Sequence, residues 1–324
     1  MHKYIRISLL IPVSVFFLLI SLSWNFYGEL FLSFFPYLVI IYCLYISTLS
    51  VFLFLLRVDL KRLNLLWFNC LVVFFAVLGI FSNYFELSAN AAQGRSDSNV
   101  KIIGVNLWYK NENTNEMESF FENEDADILM LTELTESQYA SLDGYFSSQY
   151  PYEVLQIQSL SKPYIGKAIF SKFPLTKVEI EDKKNAEVFL LANANINNSN
   201  LDLLMVHTTA PINPSYYAQR NNQLDFLQND LAEFIKNPAV ITGDFNTSPW
   251  TAHFIEMDRS LSAQNFQRVR NNSFVFSWQY QGLPRLKSHI DHTYLTSGIE
   301  KPSYELKDFP GSDHKAQVIT LSVF

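Results

Sequence analysis

The order of hydrophobic and polar positions divides the chain into two unlike parts. Residues 1–87 contain three long apolar runs, Ile7 to Trp24, Phe34 to Leu56 and Leu63 to Phe85. Each run is close to the roughly 20 residues that a helix needs to cross a hydrocarbon core of about 30 Å. The pattern therefore predicts a membrane anchor of three transmembrane helices over residues 1–87.

A cleaved signal peptide is the alternative interpretation of the first run, which follows basic residues. The chain continues Trp24-Asn25-Phe26-Tyr27 after that run, and these residues do not form a small-residue cleavage site. Two further apolar runs follow. Retention of the first run as an anchor is therefore the preferred interpretation.

The positions of the cations predict how the anchor is oriented. The segment between the first two runs, Asn25 to Ser33, contains no Lys or Arg. Basic residues precede the first run and separate the second from the third, at Lys3, Arg6, Arg57, Lys61 and Arg62. The positive-inside rule places the N-terminus in the cytoplasm and everything after the third span outside.

After a polar segment at residues 88–99 (SANAAQGRSDSN), which is predicted to be a linker, β-like runs alternate with helical ones. This alternation predicts a layered α/β domain over residues 100–324, and the sequence contains no GxGxxG or P-loop motif. Helices are predicted at Asn113 to Asn123, Pro214 to Lys236 and near Thr251 to Met257. Strands are predicted at Val100 to Leu107, Asp127 to Leu131, Gly166 to Phe170, Val188 to Ala194, Leu201 to Val206, Ala239 to Thr242, His289 to Leu295 and Gln317 to Val323.

Composition sharpens the contrast between the two parts. The chain has 24 Lys and Arg and 31 Asp and Glu residues, of which five basic and three acidic ones lie in residues 1–94. The remaining 19 basic and 28 acidic residues give residues 95–324 a net charge of −9. Both cysteines, Cys43 and Cys70, lie inside predicted spans, so the acidic domain has neither a disulfide nor a thiol nucleophile.

Polar side chains follow the predicted strands where these strands end, which is where α/β sheets gather ligand-binding groups. In the GDFN segment, alternation along an extended chain points Asp244 and Asn246 the same way and turns Phe245 into the core. The full set is Asn106, Thr132-Glu133, His207-Thr208, Asp244, Asn246, Asp291 and Ser312-Asp313-His314. Carboxylates, amides and imidazoles of this kind favour a hard divalent cation such as Mg²⁺.

Taken singly, these residues have ordinary structural explanations. Glu133 could cap a helix, Asn106 could be a turn residue, and His207 could be a buried histidine with satisfied hydrogen bonds. Asp313-His314 could be a loop pair, and Asp291 could form an ion pair with Arg285 or Lys287. The functional interpretation rests on the whole set, because every member lies at a strand end.

Seven segments occur in a characteristic order: Asn106, Thr132-Glu133, Gly166 to Leu175 (GKAIFSKFPL), His207-Thr208, Gly243 to Asn246 (GDFN), Ile290-Asp291-His292 and Ser312-Asp313-His314. Together they resemble the endonuclease/exonuclease/phosphatase superfamily, and within it the membrane-anchored bacterial branch, over roughly residues 98 to 324. The resemblance implies a four-layer α+β (α/β) sandwich, in which two packed mixed β-sheets are flanked by helices. The three spans would make the chain a multi-pass protein of the bacterial inner (cell) membrane, with its catalytic domain periplasmic or extracellular.

By this resemblance the cofactor is Mg²⁺, which Mn²⁺ can replace, and the metal ligands are Asn106, Glu133 and Asp313. The implied catalytic residues are Asp244 (orienting or deprotonating water), Asn246 (holding a phosphate oxygen), His314 held by Asp291 (contacting the scissile phosphate), Asp313 (near the metal or phosphate) and His207 (a second phosphate contact or the proton donor to the leaving oxygen). Trp108 departs from the pattern, since some nucleases of the family carry an acidic residue there.

The resulting hypothesis is a membrane-anchored, Mg²⁺-dependent phosphoesterase that hydrolyses a phosphodiester or phosphomonoester outside the cytoplasm. Its partners are the lipid bilayer, through three spans, and a phosphoester substrate, which is a lipid, a small molecule or a nucleic acid. No protein partner is inferable from the sequence.

Three alternatives stay open at this point. An extracytoplasmic nuclease acting on DNA or RNA is disfavoured by the net charge of −9. A run of lysines between residues 162 and 184 offers it a basic face, unless these are solvated strand edges. A non-catalytic binding module is disfavoured by the completeness of the site, and a transporter by spans without charged residues.

Overall fold

The computed structural model describes residues 9–11, 13–15, 17–18, 21–56, 64–85, 99–157, 166–180, 187–270, 273–297, 299 and 303–322. The first predicted span, Ile7 to Trp24, falls partly outside these described residues. The predicted linker lies outside them except for its last residue, Asn99.

Two helices in the described part of the chain are long and apolar enough to cross a membrane, where the sequence predicts three spans. A short helix, α1 (Phe26–Leu32), precedes them, and the two candidates are α2 (Phe35–Leu55) and α3 (Asn64–Tyr84). They pack against each other, and the Tyr42 hydroxyl of α2 donates a buried hydrogen bond to Asn69 of α3.

The described residues after α3 contain fourteen strands and five helices. The strands are β1 (Asn99–Asn106), β2 (Ile128–Thr132), β3 (Tyr152–Gln156), β4 (Lys167–Ser171), β5 (Leu175–Val178), β6 (Phe189–Ile196), β7 (Ser199–His207), β8 (Ala239–Asp244), β9 (Phe266–Arg268), β10 (Trp278–Gln279), β11 (Lys287–Ser288), β12 (Asp291–Thr296), β13 (Tyr304–Asp308) and β14 (Lys315–Ser322). The helices are α4 (Thr114–Glu124), α5 (Glu136–Gln149), α6 (Pro214–Asn229), α7 (Leu231–Phe234) and α8 (Ala252–Ala263).

Local sequence sets the helix starts. Thr135 caps α5 in a capping box with Gln138, and the side chains of Asn213 and Thr251 cap α6 and α8. The predicted helix over Pro214 to Lys236 is confirmed over most of its length, as Pro214–Asn229 and Leu231–Phe234. It is interrupted at Asp230 and ends at Phe234, because the backbone is already extended at the next residue.

Twelve of the strands form two six-stranded mixed sheets, with orders β13-β14-β1-β2-β4-β3 and β5-β6-β7-β8-β12-β9. Each sheet has one parallel pair near its centre, β1 with β2 and β7 with β8, and every other pairing in them is antiparallel. The remaining strands, β10 and β11, form a separate hairpin.

The sheets pack face to face, with helices on both outer faces, which confirms two packed mixed sheets flanked by helices. The central layer joins side chains such as Ile102 and Met130 of the first sheet to Leu203 and Val240 of the second. Helices α4 and α5 cover the first sheet, and α6 and α8 cover the second. Sheets carrying apolar side chains on both faces need this cover on both sides.

A close approach of the two sheets sets the position of the candidate site. A Cβ atom on Gly104 of β1 would lie 2.9 Å from the Thr242 side chain of β8, so only glycine fits between these strands. The two parallel pairs therefore face each other across this contact, and the carboxyl ends of β1, β2, β7 and β8 meet at one edge of the sandwich.

Candidate active site

The four parallel strands deliver four of the expected residues to this edge. Asn106 is the last residue of β1, and Glu133 follows β2 directly. His207 and Asp244 end β7 and β8 and are partners in the parallel register. His207 Nε2 lies 3.6 Å from Glu133 Oε1 and 3.9 Å from Asp244 Oδ2, so the two sheets contribute to one site.

Glu133 is held by the strand ends and does not cap a helix. Its backbone is left-handed (φ 56°), an uncommon conformation for a residue other than glycine, and Thr135 supplies the cap of α5. The Glu133 carboxylate accepts hydrogen bonds of 3.0 Å from Asn106 Nδ2 and from the backbone N–H of Tyr109. These contacts fix both oxygens at the edge of the sandwich, and the cap interpretation is wrong.

Asn106 presents its amide nitrogen to the acidic side chains. Nδ2 lies 3.0 Å from Glu133 Oε1 and 3.4 Å from Asp244 Oδ2, while Oδ1 accepts the backbone N–H of Trp108 at 3.0 Å. In this arrangement Asn106 orients the two carboxylates. Coordination of a cation by its oxygen requires the amide to turn over.

The GDFN segment places its two polar side chains differently from a continuous strand. Strand β8 ends at Asp244, and Asn246 is left-handed with φ 48°. The Asn246 backbone N–H donates to Asp244 Oδ1 at 2.8 Å, and its side-chain amide donates to the Thr208 carbonyl at 2.8 Å. Phe245 is fully buried, as its place in the pattern predicts.

Asp291 and His314 form a buried hydrogen-bonded pair. Asp291 begins β12 opposite Asp244, and both of its carboxylate oxygens lie 3.0 Å from His314 Nδ1. The expected ion pair of Asp291 with Arg285 or Lys287 is therefore replaced by this contact. His314 Nε2 faces the site, at 3.7 Å from Asp244 Oδ2 and 4.0 Å from Asp313 Oδ1. A carboxylate on Nδ1 fixes the ring orientation and favours the imidazolium.

Asp313 completes the group from the loop before β14. Its Oδ2 accepts a hydrogen bond of 3.1 Å from the indole N–H of Trp278 in the β10–β11 hairpin. Its Oδ1 is buried and has no hydrogen-bond partner among the described residues. A buried carboxylate oxygen in this condition is a natural ligand for a cation.

The site gathers more carboxyl groups than its protein cations can neutralise, and burial disfavours their ionisation. Burial raises the pKa of Glu133 and of Asp313, and raises that of Asp244 to about 8. Burial alone favours a neutral His314, but the carboxylates around it, that of Asp291 first, raise its pKa to about 10. One imidazolium thus faces four carboxyl groups, and a divalent cation at this edge would offset their charge and give the unpartnered Asp313 oxygen a partner.

Another grouping of possible metal ligands is less suitable. One ligand atom each from Asp244, Asp291 and His314 lies within 4.8 Å of the others. Both oxygens of Asp291, however, already bond His314, so this trio is better described as a hydrogen-bonded Asp291–His314 pair with Asp244 nearby than as a cation site.

His207 is buried and neutral. Burial, together with the charges of Lys167 and His314, lowers the pKa of His207 well below its usual range. Its Nδ1 has no hydrogen-bond partner among the described residues. The interpretation as a satisfied core histidine is therefore wrong, and the ring acts as a hydrogen-bonding group that carries no charge.

Lys167 is a site neighbour that sequence reasoning placed elsewhere, among solvated strand edges. It begins β4 opposite Thr132, is fully buried and donates a hydrogen bond to the Glu187 carbonyl. Burial lowers the pKa of Lys167 to about 7. The only sequence signal was its place at the start of the GKAIFSKFPL segment.

Comparisons with known proteins bear on the family and the fold of this chain. Residues 99–314 match the model of the Endonuclease/Exonuclease/phosphatase family. Among solved structures, truncated TDP2 of Caenorhabditis elegans shares 18% identity over 69% of this chain and 98% of its own, with a TM-score of 0.54. SmcL shares 16% identity over 70% of this chain and 100% of its own, with a TM-score of 0.52.

A member of the same family from Beutenbergia cavernae shares 13% identity over 70% of this chain and 72% of its own, with a TM-score of 0.55. At these identities the solved structures support the fold alone. A search of curated proteins returned no match.

Proposed function

Because the chain belongs to the Endonuclease/Exonuclease/phosphatase family, we propose that it is a metal-dependent phosphoesterase anchored in a bacterial membrane. The observation that carries the proposal is the Asp291–His314 pair, whose free ring nitrogen faces Asp244 beside the acidic pair of Glu133 and Asp313. Hydrolysis of a phosphoester needs a positioned water and compensation of charge on the phosphate oxygens, and this group offers both.

Mg²⁺ is the proposed cofactor, with Glu133 and Asp313 as its carboxylate ligands and Asn106 beside them. When bound, it supplies charge neutralisation at a phosphate oxygen. Asn106 and the Tyr109 backbone N–H hold the Glu133 carboxylate in place for this role.

Asp244 is the proposed base for the attacking water. Burial raises its pKa to about 8, which is close to neutral pH, and a general base works best when its pKa lies near the operating pH. Asp244 Oδ1 is fixed in position by a hydrogen bond of 2.8 Å from the Asn246 backbone N–H. One hydrogen of the Asn246 side-chain amide is used by Thr208, and the second is left for a phosphate oxygen.

The two histidines have different proposed roles. His314, kept as an imidazolium by Asp291, contacts the scissile phosphate and reduces its negative charge. His207 has a lowered pKa, so of its two expected roles the phosphate contact is favoured over proton donation to the leaving oxygen.

For the chain as a whole we propose an anchor over residues 1–87 with three spans, a linker at residues 88–99, and a catalytic domain at residues 100–324 outside the cytoplasm. Contacts with the catalytic domain support placing the start of α2 and the end of α3 on the same side of the membrane. Tyr37, near the start of α2, bonds the Arg285 carbonyl at 2.8 Å, and Asn83, near the end of α3, accepts from Arg268 at 2.7 Å.

A lipid or another small phosphoester is the preferred substrate class. Besides the net charge of −9, the lysines that could have offered a basic face are dispersed in the described residues. Lys167 is buried, and Lys172 and Lys177 are paired with Asp125 and Glu179. An extracytoplasmic nuclease is the second candidate, and a non-catalytic binding module on this fold is the third.

The test uses the full chain in detergent micelles with Mg²⁺ and a panel of phospholipids, sugar phosphates, RNA and duplex DNA. We expect hydrolysis of a lipid or small phosphoester that is lost with a chelator and in the Glu133→Gln and His314→Ala variants. The matched control is Glu122→Gln, which changes an exposed carboxylate on α4 and should keep full activity. Full activity of both site variants, or indifference to the chelator, contradicts the mechanism.

A further inference from the structure

A buried carboxylate from the membrane anchor reaches the back of the candidate active site. Glu29 lies on α1, between the first two predicted spans, and only 3% of it is exposed. Its Oε1 pairs with Arg220 of α6, which is fully buried, and its Oε2 lies 2.8 Å from His253 Nδ1. Buried charges need partners of this kind, since an unpaired one is strongly destabilising.

The same ion pair is hydrogen-bonded to the last residue of the GDFN motif and to the residue after it. Arg220 Nη1 donates to the Asn246 carbonyl at 2.9 Å, and Thr247 Oγ1 donates to Glu29 Oε1 at 3.3 Å. Asn246 has a left-handed backbone, which a residue other than glycine adopts at a cost of about 1 kcal/mol or more. Glu29 and Arg220 thus help to hold this conformation from behind.

Aromatic side chains of the anchor enclose the ion pair. Trp24 contacts the His253 ring edge-on with centroids 5.0 Å apart, and Phe26 contacts Tyr217 at 6.0 Å. Tyr217 in turn lies against the Arg220 guanidinium, at 5.4 Å from its ring centroid. The cover excludes water from charges that would otherwise be solvated, which strengthens their coupling.

Further contacts hold the same face of the catalytic domain against the anchor. The Ser33 carbonyl after α1 accepts from Ser288 Oγ at 2.8 Å, and the Lys287 backbone N–H donates to the Tyr37 hydroxyl at 3.1 Å. Tyr84 at the end of α3 is buried, and its ring contacts those of Trp250, Phe274, Phe276 and His289 in the domain. Phe81 of α3 adds a fifth aromatic contact, with Phe274. The anchor is therefore packed onto the domain, and α1 sits in a formed interface.

We propose that α1 is a built-in part of the active-site framework and that Glu29 is a positioning residue, which acts through Arg220 on Asn246. Glu29 does not touch the reacting groups. It pairs with the Arg220 guanidinium and keeps it aimed at the Asn246 carbonyl, so the anchor both tethers the catalytic domain and completes its phosphate-binding segment. For its catalytic arm, this inference rests on the proposed phosphoesterase function.

The first test measures hydrogen exchange in the full-length protein in detergent, and it is independent of activity. Glu29→Gln removes the charge while keeping the shape of the side chain. We expect the peptide covering residues 245–251 to exchange about 10-fold faster, because its support is weakened. Glu122→Gln on the exposed face of α4 should leave it unchanged. Equal exchange in wild type and Glu29→Gln overturns the inference.

The second test is a double-mutant cycle on the hydrolysis rate. Glu29→Gln should lower kcat/KM about 10-fold in the wild-type background and less than about 2-fold in an Asn246→Ala background, since its effect passes through Asn246. Equal losses in both backgrounds indicate general destabilisation and overturn the inference. If Glu29→Gln does not fold, Glu29→Asp replaces it, and a smaller loss with the same background dependence is expected.

The two tests separate this inference from the proposed function. A wild-type protein that hydrolyses none of the panel contradicts the phosphoesterase function, while the exchange experiment still decides whether Glu29 supports the segment. Activity in the wild type with unchanged exchange in Glu29→Gln supports the function and overturns the role of Glu29.

Discussion

Phe245 is the residue on which the alignment of Asp244 and Asn246 depends most directly. It stands between them, is fully buried, and its ring packs against His292 and Tyr294 at centroid distances of 5.5 and 5.9 Å. Its backbone is also fixed, because its N–H donates to the Ile290 carbonyl at 2.9 Å and its carbonyl accepts from Thr208 Oγ1 at 2.6 Å. Replacing Phe245 by Leu should loosen the packing of this side chain and leave the two backbone hydrogen bonds intact.

The size of the effect follows from burial. Shortening a fully buried Phe to Leu removes a few carbons from the core and should cost about 1 to 2 kcal/mol of unfolding free energy. Phe226→Leu is the matched control, since Phe226 is 3% exposed in the same hydrophobic cluster and stacks on Phe189, on a helix away from the site. Displacement of catalytic groups by about 1 Å can cost about 100-fold in rate. We therefore expect Phe245→Leu to lower kcat about 10- to 100-fold and Phe226→Leu less than about 2-fold.

The assay combines urea unfolding, followed by tryptophan fluorescence, with initial rates of phosphodiester hydrolysis at a temperature where every variant is folded. Similar losses of stability with a large difference in kcat support the alignment role of Phe245. Equal kcat values in the two variants would refute it, because core packing alone would then explain both.

Three further predictions concern the backbone, pH and topology. Gly243→Ala should destabilise the fold by about 3 kcal/mol or more, because at φ +144° the added Cβ would lie 2.0 Å from the Val206 carbonyl oxygen. Gly144→Ala, in a helix with free space around it, should stabilise the fold by about 0.5 to 1 kcal/mol. Thermal melts that rank the two variants in the opposite order contradict this prediction. Burial opposes ionisation of Glu29, but its histidine and arginine partners hold its pKa below the ordinary value, so its contribution to stability is complete above about pH 5 and is lost as pH falls through the lowered pKa. Melts of wild type and Glu29→Gln should therefore converge as the pH falls through the lowered pKa of Glu29, and a constant difference contradicts the linkage. A reporter fused after Asn90 should be extracytoplasmic, and cytoplasmic reporter activity overturns the orientation.

The central strands could be predicted from sequence because their signal is local. Strands β1, β2, β7 and β8 are mostly apolar and buried, and their ends carry the polar residues that meet in the site. The outer strands β3, β5 and β13 were not predicted. They are half-exposed and short, so neither a continuous apolar run nor a clear alternation marks them.

Contacts between distant residues could not be predicted in the same way. Lys167 and Lys172 look alike in sequence, yet one is fully buried beside His207 and the other is a half-buried partner of Asp125. Lys167 belongs to β4, which lies inside the first sheet, whereas Lys172 follows the end of that strand, and the sheet order is not visible in the sequence. Glu29 carries no local signal at all, because its partner Arg220 is 191 residues further along the chain.

The docking of the anchor also bears on the proposed substrate. A catalytic domain on a free linker samples many heights and orientations above a membrane, and tethering then raises only the average concentration of a membrane substrate. Here the loop after α1, the start of α2 and the end of α3 all bond the domain, through Ser33, Tyr37 and Asn83. In the proposed membrane arrangement, these contacts hold the site at one height and one orientation. This arrangement suits a phosphoester presented from the bilayer or small enough to diffuse in, and it disfavours a long duplex, which needs an open basic surface along its backbone.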